Sequence, residues 1–142
     1  MKFRRAFLLV LLALVPAVLT GWLHPHRPDW KEAWNPVPSV TLEELRAMPD
    51  SPTLWIDARE PGDYAEGHLP GAFNLSETAW EANLPAVIDA WTPELRVVVY
   101  CDGGGCHASR ATATRLRREI GATHIYILKD GWASLASLKA AP

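Results

Sequence analysis

Arg96-Val97-Val98-Val99-Tyr100-Cys101-Asp102-Gly103-Gly104-Gly105-Cys106-His107 is the stretch that decides how this chain folds. Arg96 to Tyr100 is a short apolar run, the pattern of a strand buried on both faces. A cysteine closes it and a glycine loop follows. Helical patterning then runs from Ala108 to Ile120, where Gly121 stops it. This order puts Cys101 at the carboxyl end of a strand, beside a helix N-terminus, where anions and thiolates are stabilised. The glycines let several backbone N–H groups turn toward one point. The stretch therefore points to thiolate chemistry on a parallel α/β scaffold.

Outward from this strand, helices and strands alternate. Thr41-Leu42-Glu43-Glu44 has the form of a capping box and opens a short helix to Ala47. Thr53 to Asp57 is an apolar strand with Asp57 at its end. Glu60 to Tyr64 reads as a turn or one helical turn, His68-Leu69-Pro70-Gly71 as a turn, and Ala72 to Leu75 as a short strand. Ser76 is placed to cap a helix from Glu77 to about Ala90. His124 to Leu128 is a further strand and Trp132 to Lys139 a last helix. Strands separated by such helices indicate a parallel sheet covered on both faces. Ligands of such sheets bind at the carboxyl ends of strands, where Asp57 and Cys101 both fall.

The chain has 142 residues, enough for one domain, and 49% of them are hydrophobic. Its formal net charge is −2, and setting aside residues 1–23 removes Lys2, Arg4 and Arg5 and makes it more negative. Nucleic acid is therefore not an expected partner. Arg110, Arg115, Arg117 and Arg118 share one predicted helix and read mostly as a solvated face. Ala6 to Leu23 is an apolar run broken only by Pro16, Thr20 and Gly21. As a helix it is about 27 Å long, close to bilayer thickness. The three basic residues before it should keep the N-terminus in the cytoplasm while the rest crosses. With a poor cleavage pattern, the expectation is an uncleaved anchor. The membrane is then engaged through residues 6–23, as one transmembrane helix in the cell inner membrane, with the domain on the periplasmic side. A cleaved signal segment, releasing the domain into the periplasm, is the alternative. Either way the compartment is oxidising.

Residues 24–39 form a linker rich in Pro, His and Trp, and residues 40–142 the domain. Trp22, Trp30 and Trp34 suit the lipid headgroup level, or Trp30 and Trp34 pack back on the domain; both readings stand. His24 and His26 read as solvated linker rather than metal ligands.

Ile56-Asp57-Ala58-Arg59-Glu60-Pro61-Gly62-Asp63-Tyr64-Ala65-Glu66-Gly67-His68-Leu69-Pro70-Gly71-Ala72-Phe73-Asn74-Leu75 resembles the first signature of the rhodanese family. That signature has Asp-x-Arg, an acidic-aromatic pair, Gly-His-Ile-Pro-Gly-Ala and Asn; here Asp63 replaces the usual Glu and Leu69 the Ile. Val97-Val98-Val99-Tyr100-Cys101 is similar to the strand that delivers the rhodanese cysteine. Ile125-Tyr126-Ile127-Leu128-Lys129-Asp130-Gly131-Trp132 is similar to the closing strand and its Gly-Trp segment. The likeness covers about Val40 to Leu138. It implies a three-layer α/β domain, with a central parallel sheet and helices on both faces, and sulfane-sulfur transfer. In that family the cysteine thiolate takes a sulfur atom, becomes a persulfide cradled by loop N–H groups, and yields the sulfur to an acceptor thiol or cyanide. The implied partners are a small sulfur-containing donor and a thiol acceptor, small or on a protein; no cofactor is implied.

The chain departs from the family in the loop, usually Cys-x-x-Gly-x-Arg-Ser. Measured against Gly121, the loop here is about three residues longer. Gly104 falls on the glycine position and Cys106 on the arginine position, while Ser109-Arg110 come later in reversed order. A thiosulfate substrate is therefore less expected than the cradle itself.

Cys101 is the candidate nucleophile, with a buried structural cysteine as the alternative. The helix N-terminus favours its thiolate and the charge of Asp102 opposes it. With Asp102, the loop comprises Gly103, Gly104, Gly105 and Cys106. Cys106 can pair with Cys101 if the Cα atoms come within about 7 Å, and so short a ring would be easily reduced. It can also accept sulfur from Cys101 or stand by. His107 is a candidate acid or base, or an exposed polar residue at a helix start. Arg110 can close on an anionic substrate or stay in solvent. The resemblance makes Asp57 and Arg59 mostly structural, holding the signature segment against the loop, with His68 in the same scaffold. No metal site is expected, because Cys101, Cys106 and His107 have only His124 downstream. Two rival functions remain: a catalytically silent rhodanese-fold binding module, and a thiol–disulfide redox protein using Cys101 and Cys106. A cysteine phosphatase is disfavoured, because no arginine stands at the required gap.

Overall fold

The computed structural model describes residues 35–103 and 107–139, together with Leu12. The helix expected over residues 6–23 and most of the linker thus lie outside the described residues. Among the described residues, no helix is long and apolar enough to cross a membrane.

Among the described residues, five parallel strands make one sheet in the order β1-β5-β4-β2-β3. They are β1 Ser39–Val40, β2 Thr53–Asp57, β3 Phe73–Asn74, β4 Arg96–Tyr100 and β5 Ile125–Leu128. The described helices are α1 Leu42–Ala47, α2 Pro61–Glu66, α3 Trp80–Ala90, α4 His107–Ile120 and α5 Gly131–Lys139. β4 is central because both of its faces are apolar: Val97, Val98, Val99 and Tyr100 are fully buried. It pairs with β2 from Thr53↔Arg96 to Asp57↔Tyr100, and with β5 from Val97↔Ile125 to Val99↔Ile127. Alternation along β4 sends Val97 and Val99 to one core with Leu54, Ile56, Trp80, Ala113 and Leu116. Val98 and Tyr100 go to the other, with Val40, Leu45, Leu128 and Leu135. Burying each such Val or Leu contributes about 1.5–3 kcal/mol. Helices therefore cover both sheet faces, as expected.

α1 carries both arms of its capping box, Glu44 N–H to Thr41 Oγ1 at 3.1 Å and Thr41 N–H to Glu44 Oε2 at 2.7 Å. α4 buries Ser109, Thr112, Ala113 and Leu116, one stripe at helical spacing. Gly121, at φ +73°, ends it in the left-handed region.

Two elements differ from expectation. Val37 is buried and Ser39 pairs with Ile127, so these two residues, read as linker, belong to a compact unit running from Pro36. α3 starts at Trp80 rather than Glu77. Ser76 Oγ accepts from Ala79 N–H at 3.2 Å and closes a turn instead of a helical cap. The edge strand β3 is closed by side chains: Tyr64 Oη donates to Ala72 O at 2.7 Å and Asn83 Nδ2 to Asn74 O at 3.0 Å. That blocks pairing with another chain along this edge.

Candidate functional site around Cys101

β4 delivers Cys101 to the carboxyl edge of the sheet, with 1% of its surface exposed. Its Sγ lies 3.5 Å from Ser109 Oγ, in the first turn of α4, and 3.6 Å from Gly103 O. The sulfur thus rests against the amino end of a helix of 14 residues. Backbone N–H groups and the positive dipole end of a helix N-terminus act on a sulfur placed there. In the thiolate state the Ser109 hydroxyl is a ready donor to the sulfur. Ser109 was not among the sequence-based candidates. The signal was its place on the stripe that also buries Thr112, Ala113 and Leu116.

Asp57, at the matching end of β2, is fully buried and is satisfied by Arg59. Its carboxylate accepts from Arg59 N–H at 3.0 Å, Nε at 3.0 Å and Nη2 at 2.7 Å. Arg59 Nη2 also donates to Gly67 O at 2.6 Å, and Nη1 lies 3.8 Å from the Asp102 carboxylate. Asn74 Nδ2 bridges Asp57 O and Arg59 O at 3.1 and 2.8 Å. The signature segment is therefore a strut, with Arg59 reaching the first residue of the loop after Cys101. Burial works against the Arg59 charge, but the Asp57 hydrogen bonds and carboxylate charge outweigh it and hold the guanidinium firmly protonated. Burial also drives the Tyr100 phenol well above its ordinary range, aided by the Asp57 carboxylate, so Tyr100 stays neutral. His68 belongs to this scaffold: it stacks on Tyr64 at 3.8 Å, and its Nδ1 lies 2.9 Å from Tyr64 O.

The closing segment packs beneath the loop. Trp132 N–H donates to Cys101 O at 2.6 Å. Its indole lies 6.2 Å from the Tyr100 ring and 4.6 Å from the Arg59 guanidinium.

The remaining candidates are less closely held. Asp102 is exposed apart from its approach to Arg59. His107 and Arg110 are exposed on α4, and the Arg110 side chain has no hydrogen bond or ion pair among the described residues. Gly104, Gly105 and Cys106 lie outside the described residues. His124 precedes β5 at the amino edge of the sheet, where its carbonyl accepts from Val97 N–H, so it is remote from Cys101. Among the described residues, no cluster of His, Cys, Asp and Glu is arranged to hold a metal ion.

Residues 41–138 match the family model described as the rhodanese-like domain. The tRNA uridine(34) hydroxylase of Buchnera aphidicola is 32% identical over 65% of this chain and 28% of its own length. A protein of Synechococcus elongatus named "Putative thiosulfate sulfurtransferase" is 29% identical over 91% of this chain and 45% of its own length. The chain thus spans less than half the length of these curated relatives. Among solved structures, a human single-domain sulfurtransferase is 26% identical with a TM-score of 0.52, over 71% of this chain and 96% of that one.

Proposed function

Because this chain belongs to the rhodanese-like domain family, we propose that it carries sulfane sulfur on Cys101 as a persulfide and passes it to a thiol. The observation that carries this reading is the Cys101 sulfur, held at the carboxyl edge of the sheet against Ser109 on the first turn of α4. The Cys101 thiolate attacks the terminal sulfur of a sulfane donor. The bond joining that sulfur to the donor breaks, and the donor residue leaves with the electron pair. An acceptor thiolate then attacks the outer sulfur of the persulfide. The sulfur–sulfur bond to Cys101 breaks, the acceptor leaves as a persulfide, and Cys101 is again a thiolate. The cycle has no net oxidation and so calls for no redox cofactor.

The test is steady-state transfer from a sulfane donor to a small thiol by the full chain. Parallel double-reciprocal lines, the mark of a covalent carrier, are expected. Lines that intersect, with no sulfur retained on the protein once the donor is removed, would contradict it. Within this reading, Ser109→Ala is expected to slow sulfur uptake about tenfold, the worth of one hydrogen bond to a charged group. Release to the acceptor and the melting temperature should change less. Single-turnover mixing with donor alone checks this.

The run at residues 6–23 and the basic residues before it support an anchored domain facing the periplasm. Retention in membranes after carbonate washing is the expected result, with the domain cut by protease added outside. A soluble mature chain beginning near Gly21 would remove the anchor and leave the export.

A further inference from the structure

Gly131 has a constraint that sulfur transfer alone does not explain. Its φ of +51° lies in the left-handed region. A Cβ built there would fall onto the Cys101 carbonyl oxygen, 2.9 Å from the Cys101 carbonyl carbon and 3.0 Å from Gly103 N. Nine in ten real Cβ contacts are wider than these, and all three atoms are backbone, so no side-chain rotation relieves the conflict. The next residue supplies Trp132 N–H, which reaches the same carbonyl at 2.6 Å. The first turn of α5 therefore lies directly on the peptide that follows the reactive sulfur.

We propose that the Gly131–Trp132 segment is a positioning element that sets the orientation of the Cys101 peptide, and through it the reactivity of the Cys101 sulfur. This deepens the reading of Cys101 as sulfur carrier and rests on it. A trans peptide is rigid and planar, so fixing the Cys101 carbonyl toward α5 aims the Asp102 N–H the opposite way. The carbonyl lone pairs, which would repel a thiolate, are neutralised by Trp132 N–H and turned toward the helix. The Trp132 indole contacts Tyr100 and Arg59, so the clamp is tied to the same strut that reaches Asp102.

The test measures iodoacetamide alkylation at Cys101 against pH in the full chain, with fragment masses separating Cys101 from Cys106. Sulfur uptake from a donor is followed alongside. Three variants are compared. Gly131→Ala adds the conflicting carbon. Trp132→Ala removes the indole and keeps the N–H. Trp132→Pro removes both the indole and the N–H, and sets a ring carbon against the Cys101 carbonyl that the N–H now holds. Gly131→Ala is expected to shift the pH midpoint of alkylation and slow sulfur uptake at least tenfold. Trp132→Pro should lie at least a further tenfold below Trp132→Ala in uptake, with a different midpoint. A folded Gly131→Ala protein with the wild-type profile would overturn the proposal. So would a shared profile for Trp132→Ala and Trp132→Pro, and that pair decides the matter if Gly131→Ala does not fold. A wild-type chain that takes up no sulfur, while the alkylation profiles separate as expected, would sink the carrier reading and leave the positioning role standing.

Discussion

Cys101→Ser is expected to reduce sulfur uptake and transfer to the background of the uncatalysed reaction, with circular dichroism and melting close to the parent chain. The hydroxyl of serine is a far weaker nucleophile than a thiolate at neutral pH, and it forms no persulfide. The site is built around the sulfur at this position: Ser109 Oγ is 3.5 Å from it, and Trp132 N–H holds its carbonyl. Cys106→Ser is expected to retain transfer, because only Cys101 stands at the end of β4. An inactive Cys106→Ser protein beside an active Cys101→Ser protein would reverse the assignment of the nucleophile. The pair also separates the rival functions. A thiol–disulfide redox protein would lose its activity in both variants, and a silent binding module would show no activity to lose.

The second large effect concerns stability. Asp57→Asn leaves the Arg59 guanidinium buried, with 4% of its side chain exposed, and with only the exposed Asp102 carboxylate, 3.8 Å away, as counter-charge. Breaking a buried pair in this way costs about 3–5 kcal/mol. Against a total stability of about 5–15 kcal/mol this removes a large share. For a folded unit of this size it corresponds to a fall in melting temperature of about 12 °C or more. Removing both charges together should be milder than Asp57→Asn alone, because no charge is stranded. Thermal unfolding of the full chain, with Asp57→Asn beside an Asp57→Asn/Arg59→Met double variant, measures this. A melting temperature for Asp57→Asn within a degree or so of the parent would show that the strut carries no load.

Much of the fold was legible because the sheet's central strands are local apolar runs. Thr53–Asp57 and Arg96–Tyr100 fall where the sequence predicts them. The Thr41–Glu44 cap is likewise a local pattern with a local cause. β1 was not legible: a two-residue edge strand after Pro36 and Pro38 has no periodicity to read, and only its pairing with Ile127 and Leu128 defines it. The start of α3 was misplaced because Ser76 suits a turn and a cap equally well. In the site, Cys101 and the Asp57–Arg59 pair could be found from their places at strand ends and in an ordered signature. Ser109 was missed because its role depends on which face of α4 meets the sulfur. Gly131 was seen as part of a motif, but the reason for its lack of a side chain lies in a tertiary contact with Cys101. His107 and Arg110 were named for their chemistry, and no hydrogen bond or ion pair among the described residues joins either to the sulfur.

Whether Cys101 itself carries the sulfur is decided by fragment mass spectrometry of the full chain after brief exposure to a sulfane donor and rapid quenching with an alkylating agent. One added sulfur atom located on Cys101, removed by a subsequent pulse of acceptor thiol, is expected. Added sulfur confined to Cys106, or a Cys101–Cys106 disulfide with no sulfur gained, would contradict it.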